Sequence, residues 1–169
     1  GTDSIDAGAG DDVVYMASYV TASTVYADTI LSGDTVNGGS GNDYLHYVDT
    51  SGVNSQLSGV TNFEHIVFHN SGLDSPVIEE VGGSLFQYGT TLYVDGSLLD
   101  LNHSLHFDAS SSTVGYLYLT GSAGDDLLKG VGTDYGAGLT MSTIDGGAGN
   151  DTIYGGSRNA VLSGGLGND

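Results

Sequence analysis

Gly146-Gly-Ala-Gly-Asn-Asp151 decides how this chain folds, because the same phrase returns as Ala7-Gly-Ala-Gly-Asp-Asp12, Gly38-Gly-Ser-Gly-Asn-Asp43 and Gly164-Gly-Leu-Gly-Asn-Asp169. Where the chain continues past the closing acid, an aliphatic follows two residues later: Val14, Leu45 and Ile153. A glycine turn closed by Asp, with a single hydrophobic at fixed distance, is the mark of a stacked repeat.

Each part of the phrase has a physical task. Glycine turns through φ > 0 without strain, and Gly8, Gly10, Gly39, Gly41, Gly147, Gly149, Gly165 and Gly167 can aim main-chain carbonyls into the turn. The closing Asp adds a hard carboxylate oxygen. Calcium takes roughly six to eight such oxygens, more than one short turn supplies, so an ion is expected to bridge two successive coils. The aliphatic then points into the coil while its neighbours point out, because side chains alternate along a strand.

Composition points to the same partner. The chain carries 21 acidic residues against two basic ones, Lys129 and Arg158, giving a net charge of −19 and a pI near 4.1. Internal ion pairs do not neutralise such a chain; self-repulsion opposes compaction, and the 29 glycines raise the entropy lost on folding. Divalent cations relieve the repulsion. Nucleic acid and anionic membrane surfaces are excluded as partners, since both are read by Lys and Arg. With no cysteine, disulfides and thiolate metal sites are excluded as well. No apolar run reaches transmembrane length, and no basic-then-apolar leader follows Gly1. The chain opens on a half-repeat, Gly1-Thr-Asp-Ser-Ile5, and stops within a repeat at Asp169, so a fragment of a longer parent is expected, with the rest of that chain as a partner.

Self-comparison organises the repeats. Residues 1–14 align without gaps on residues 32–45, and residues 142–151 align on 160–169, one coil on. A looser copy runs from Gly124 to Asp134. Side by side, the copies predict two columns. One holds Asp12, Asp43, Asp134, Asp151 and Asp169. The other holds Asp3, Asp34 and Asp126 and then loses its carboxylate at Ser142 and Ala160, where Arg158 is a candidate cation. These eight aspartates, with the eight glycines above, form the expected metal set.

Three regions follow: β-roll repeats at 1–45, a wider β-solenoid or β-rich insert at 46–120, and β-roll repeats at 121–169. The middle region reads as strands, as in Glu64-His-Ile-Val-Phe-His69, Thr91-Leu-Tyr-Val94, Ser104-Leu-His-Phe-Asp108 and Gly115-Tyr-Leu-Tyr-Leu119. Ile66/Phe68, Leu92/Val94, Leu105/Phe107 and Leu117/Leu119 are the inward pairs, and Pro76 marks a turn between rungs. The expected architecture is all-β: a right-handed parallel β-roll or β-solenoid, with calcium-binding turns and wider, irregular coils in the middle.

On these motifs the chain resembles the repeats-in-toxin family, the calcium-dependent β-roll proteins exported by Gram-negative bacteria. The resemblance implies secretion or display at the bacterial cell surface, usually through a one-step, type I exporter, and folding triggered by extracellular calcium. It implies calcium at Asp12, Asp43, Asp151 and Asp169, and at Asp3, Asp34 and Asp126. Ser142 and Ala160 depart from the pattern.

His46, His65, His69, His103 and His106 read as solvated strand histidines rather than zinc or copper ligands. An outer stripe of His65, His69, Tyr93, His106, Tyr116 and Tyr118 is a candidate face for a glycan or protein receptor, set against the simpler reading that these rings pack on one another. Three function classes compete: a calcium-folded structural module of a larger toxin, adhesin, surface-layer protein or hydrolase; a binding module; and a polysaccharide-acting enzyme. The enzyme is disfavoured, because no Ser-His-Asp order or isolated carboxylate pair stands apart from the calcium carboxylates. The reading taken forward is the non-enzymatic calcium module, with the binding module as its alternative.

Overall fold

The computed structural model describes residues 3–17, 19–21, 24–26, 34–48, 55–70, 77–80, 85–87, 89–132, 140–156 and 159–169. Asp134, Arg158 and Pro76, each given a role above, lie outside them. The strands are β1 (Ser4–Asp6), β2 (Val13–Ala17), β3 (Tyr19–Thr21), β4 (Thr24–Tyr26), β5 (Thr35–Asn37), β6 (Tyr44–Val48), β7 (Ser55–Gln56), β8 (Val60–Thr61), β9 (His65–Phe68), β10 (Val77–Glu80), β11 (Thr91–Asp95), β12 (Leu105–Asp108), β13 (Gly115–Thr120), β14 (Leu127–Lys129), β15 (Thr140–Asp145), β16 (Thr152–Tyr154) and β17 (Ala160–Ser163). A 3-10 turn, η1 (Leu57–Gly59), separates β7 from β8.

Apart from the antiparallel pair β3–β4, every pairing is parallel and joins one coil to the next. The principal sheet has seven strands in the order β2-β6-β9-β11-β13-β15-β17. A second has five, β7-β10-β12-β14-β16, and a third has three, β1-β5-β8. The fold is therefore the all-β parallel solenoid expected from the repeats. Within residues 46–120 the principal sheet is continued by β9, β11 and β13. Among the described residues no helix is long and apolar enough to cross a membrane.

The three sheets meet at corners, and the corners position the site. In the middle coil the chain passes from β7 through η1 to β8 and then to β9, touching all three sheets in turn. Ahead of this coil, glycine turns carry the chain from the three-stranded sheet into the principal one, at β1 to β2 and β5 to β6. Beyond it, they carry the chain out of the principal sheet into the five-stranded one, at β13 to β14 and β15 to β16. The repeats at the two ends therefore occupy opposite edges of the same seven-stranded sheet.

Alternation fills the interior. Leu45 and Tyr47, Ile66 and Phe68, Leu92 and Val94, Leu105 and Phe107, and Leu117 and Leu119 are all buried, each pair packed in the stack begun by its neighbours. The inward pairs read from sequence are borne out. Val14 and Ile153, which follow repeat turns as Leu45 does, are partly buried against the same core. Each buried side chain of this kind contributes about 1.5–3 kcal/mol.

Candidate metal centre

The six positions of each turn have fixed roles. Position 1 is Ala7 in the first turn and a glycine in the others, pressed from two sides: a side chain at Gly146 would overlap both the Asp151 carboxylate and the Gly164 carbonyl of the next coil. In the turns at 7–12, 38–43, 146–151 and 164–169, positions 2 and 4 have positive φ, for example 104° at Gly39 and 148° at Gly41; Ser122 and Gly124 of the turn at 121–126 do not. The carbonyls of positions 2 and 4 point along the solenoid axis. The carbonyl at position 2 abuts position 2 of the following turn, as Gly8 on Gly39, Ser122 on Gly147 and Gly147 on Gly165. The carbonyl at position 4 does the same, as Gly10 on Gly41, Gly124 on Gly149 and Gly149 on Gly167. Glycine is required at the receiving positions because a Cβ there would collide with those oxygens.

Position 6 builds carboxylate ladders in which the main-chain N–H of one coil donates to the side chain of the next. Asp12 N–H donates to Asp43 Oδ1 at 2.8 Å, and Asp43 N–H to Glu64 Oε2 at 2.8 Å. At the opposite edge, Leu105 N–H donates to Asp126 Oδ1 at 2.7 Å, Asp126 N–H to Asp151 Oδ1 at 2.9 Å and Asp151 N–H to Asp169 Oδ1 at 3.1 Å. A third rung sits where the chain enters the three-stranded sheet, with Asp3 N–H donating to Asp34 Oδ1 at 2.8 Å.

One oxygen of Asp34, Asp43, Glu64, Asp126, Asp151 and Asp169 is thereby used, while Asp12 opens its ladder as a donor. Three oxygens have a different fate: Asp12 Oδ2, Asp43 Oδ2 and Asp151 Oδ2 are buried and have no hydrogen-bond partner. An ionised oxygen in that condition is costly, and a hard cation is what satisfies it. Among the described residues no group of three or more His, Cys, Asp or Glu side chains converges. An ion bound here would therefore draw most of its oxygens from the main chain; position-2 carbonyls already accept the position-3 N–H of the next turn, as Gly8 from Ser40 at 3.0 Å and Gly147 from Leu166 at 2.9 Å, which leaves the position-4 carbonyls as the candidates. The residues fit calcium.

Asp126 differs. Ser122 stands at position 2 of its turn; its N–H donates to Asp126 Oδ2 at 2.6 Å, and its hydroxyl lies 2.6 Å from Oδ1 and 2.8 Å from the His103 carbonyl. Both Asp126 oxygens are satisfied by protein. Burial still pushes the Asp126 carboxyl up. Burial also raises Asp151, opposed by the bond from the Asp126 N–H and reinforced by the charges of Asp126, Asp169 and Asp125.

The two-column arrangement expected from sequence is corrected. Asp126 belongs to the ladder of Asp151 and Asp169, not to that of Asp3 and Asp34, while Asp12 and Asp43 stand on another edge. Ser142 and Ala160 are not turn residues but register partners in β15 and β17, and Ser142 Oγ accepts the Val131 N–H at 3.0 Å. Alignment of repeats shows which residues are equivalent within a turn; it is silent on which corner that turn occupies.

Two sets of residues escaped the sequence reading. Position 5 forms an outer ladder of opposite sense, in which Asp11 Oδ1 accepts the Asn42 N–H at 2.9 Å and Asp125 Oδ1 the Asn150 N–H at 2.6 Å. Glu64 stands where Asp43 stands one coil earlier, directly ahead of a strand of the principal sheet. That position was its signal, although no glycine turn precedes it.

The outer face of the principal sheet carries a row of stacked rings: Tyr44 on His65 at 4.0 Å, His65 on Tyr93 at 4.9 Å and Tyr93 on Tyr118 at 5.0 Å. Of the expected stripe, His65, Tyr93 and Tyr118 are in it. His69 instead pairs with His46, Nε2 to Nδ1 at 2.7 Å; His106 lies on β12 in the five-stranded sheet, and Tyr116 is in register with Thr91 and Met141. Lys129 is bound to Asp108 at 2.7 Å.

The family profile of the RTX calcium-binding nonapeptide repeat matches this chain in four copies, over residues 1–15, 27–47 and 142–169. The turn at 121–126 lies outside those segments yet stands in the same ladder as two matched turns. No curated protein and no solved structure matches the chain.

Proposed function

We propose that this RTX-repeat β-solenoid is a structural module that folds when calcium binds, as part of a larger secreted or surface-displayed bacterial protein. The observation that carries the reading is the set of three buried carboxylate oxygens, at Asp12, Asp43 and Asp151, left without donors in turns whose carbonyls face the next coil. RTX repeats are typical of secreted bacterial proteins, and a net charge of −19 keeps a calcium-free chain expanded. A ligand that binds only the folded state stabilises it by about 2.7 kcal/mol per site when its free concentration is about 100 times Kd. Several such sites acting on one solenoid convert the difference between a low-calcium interior and a high-calcium exterior into a folding switch. The module holds and spaces; it has no catalytic role.

The test is far-UV circular dichroism of chelated protein titrated with calcium, with magnesium as control. A cooperative, calcium-selective gain of β signal is expected. A fold complete in chelator would defeat the switch.

A second reading is favoured by the ring row: with Tyr93 at 42% and Tyr118 at 39% exposure, the outer face is a surface for a glycan or protein receptor. Binding to a glycan array that Tyr93→Ala abolishes would support it.

A further inference from the structure

The chain has one Asn-Gly pair, Asn37–Gly38, and the fold accounts for both halves of it. Asn37 ends β5, in register with Asp6 on one side and Thr61 on the other. Its side chain ties the three coils together: Nδ2 donates to Asp6 Oδ1 at 3.1 Å, and Oδ1 accepts from Asn62 Nδ2 at 2.7 Å and from the Thr61 hydroxyl at 3.3 Å. An amide does this where a carboxylate would face Asp6 with nothing to donate. Gly38 opens the turn, where a side chain would overlap the Asn62 carbonyl and press on Asp43.

In a free chain such a pair is chemically unstable. The Gly38 main-chain nitrogen attacks Asn37 Cγ and gives its proton to water; the Cγ–Nδ2 bond breaks, ammonia leaves and a succinimide ring closes. Water then opens the ring at either carbonyl, leaving aspartate or, with a methylene added to the main chain, isoaspartate. Glycine makes the step easy because no side chain covers the attacking nitrogen and its main chain turns freely. In the solenoid the reacting groups are engaged. Gly38 N–H donates to the Thr61 carbonyl at 3.0 Å, the Asn37 amide is held as above, and strand pairing on both sides keeps Asn37 extended, a conformation that ring closure has to undo.

We propose that Asn37–Gly38 is a spontaneous deamidation site that the folded solenoid closes and the calcium-free chain leaves open. The inference rests on the calcium-folding reading above and adds a chemical consequence: time spent without calcium is written into the chain as damage at the Gly38–Asp43 turn. Aspartate at this position repels Asp6, and isoaspartate lengthens the main chain ahead of the turn, shifting Gly39 and Gly41 against Gly8 and Gly10. Because reaction requires opening, its rate follows the open fraction. Each ion held only by the folded state lowers that fraction about 100-fold when free calcium is about 100 times Kd.

The test follows the peptide bearing Asn37 by mass spectrometry, with released ammonia assayed alongside, at mildly alkaline pH in urea, in chelator and in calcium. Conversion in urea is expected to be faster at Asn37 than at any other asparagine, chelator to match urea, and calcium to slow it about 100-fold or more. In urea, where folding is immaterial, Asn37→Thr is expected to remove that share of the ammonia. Protein aged in chelator is expected to need several-fold more calcium than fresh protein to reach half its β signal. Slow conversion in urea, or conversion in calcium as fast as in urea while the β signal is complete, overturns the proposal. Aged protein that refolds like fresh protein overturns the damage it assigns to the turn. Slow conversion in chelator with a complete β signal there defeats the calcium switch instead, and leaves a site that the fold itself protects.

Discussion

Asp126 donates its main-chain N–H to Asp151 Oδ1 at 2.9 Å, and through that bond a protein-satisfied turn is joined to one that has a buried oxygen to spare. Asp151 is the hinge of its ladder, with Asp126 on one side and Asp169 on the other.

Replacing Asp151 by Ala removes the acceptor for the buried Asp126 N–H and is expected to destabilise the calcium-loaded fold by about 1–3 kcal/mol, with fewer calcium ions bound in isothermal titration. D151N separates the two effects. It keeps an acceptor oxygen but removes the buried charge, so calcium affinity falls while the fold in chelator is retained or improved. Equal calcium affinity in D151N and the parent would remove Asp151 from the metal set.

Ser122→Ala strips a hydroxyl that lies 2.6 Å from Asp126 Oδ1 and accepts the Gly124 N–H at 3.0 Å. A loss of roughly 1 kcal/mol per hydrogen bond is expected, measured by thermal melting. Because the variant leaves Asp126 less satisfied, its melting temperature should also respond more steeply to calcium than the parent's. A parallel shift at all calcium concentrations would refute that role for Ser122.

Acid should act with opposite signs in the two metal states. The folded pKa values of Asp126 and Asp151 are raised above the ordinary 3.8. Without calcium, the folded state then binds more protons than the unfolded one between 3.8 and the raised values, so residual stability rises as pH falls through that window and the gain is complete below it. With calcium, protonation competes with the metal and stability falls. Melting curves in chelator and in excess calcium, taken across the acid range, check both slopes.

His46 is held below the ordinary 6.5, first by burial and then by the charge of His69. Its folded state takes up protons later than the unfolded one, so this contribution to stability is present above 6.5 and is lost as pH falls through the folded value. In NMR titrations, His69→Ala should move the His46 midpoint part of the way back toward 6.5, leaving the share due to burial.

Legibility divided along physical lines. Leu45, Ile66 and Leu117 were readable as core because strand alternation is local, and Gly39 and Gly41 as turn residues because positive φ demands glycine. The corner taken by each turn was not readable, since it depends on how many residues each coil spends elsewhere: Asp12 and Asp43 are 31 residues apart, Asp43 and Glu64 only 21, Asp151 and Asp169 only 18. Glu64 escaped because its place in the ladder arises from register with Asp43 and not from any motif around it.

The ring row from Tyr44 through His65 and Tyr93 to Tyr118 begins beside one ladder and ends on the strand that leads into the other. Across β11, the strand between, neither edge of the sheet carries a closing carboxylate. Bending or pulling the solenoid would concentrate there, on coils joined by main-chain bonds, the shared core, stacked rings and the Asn70–Asp100 and Gln87–Asn62 side-chain bonds. With calcium in the turns on either side, the rings would act as a splice between two stiffened lengths.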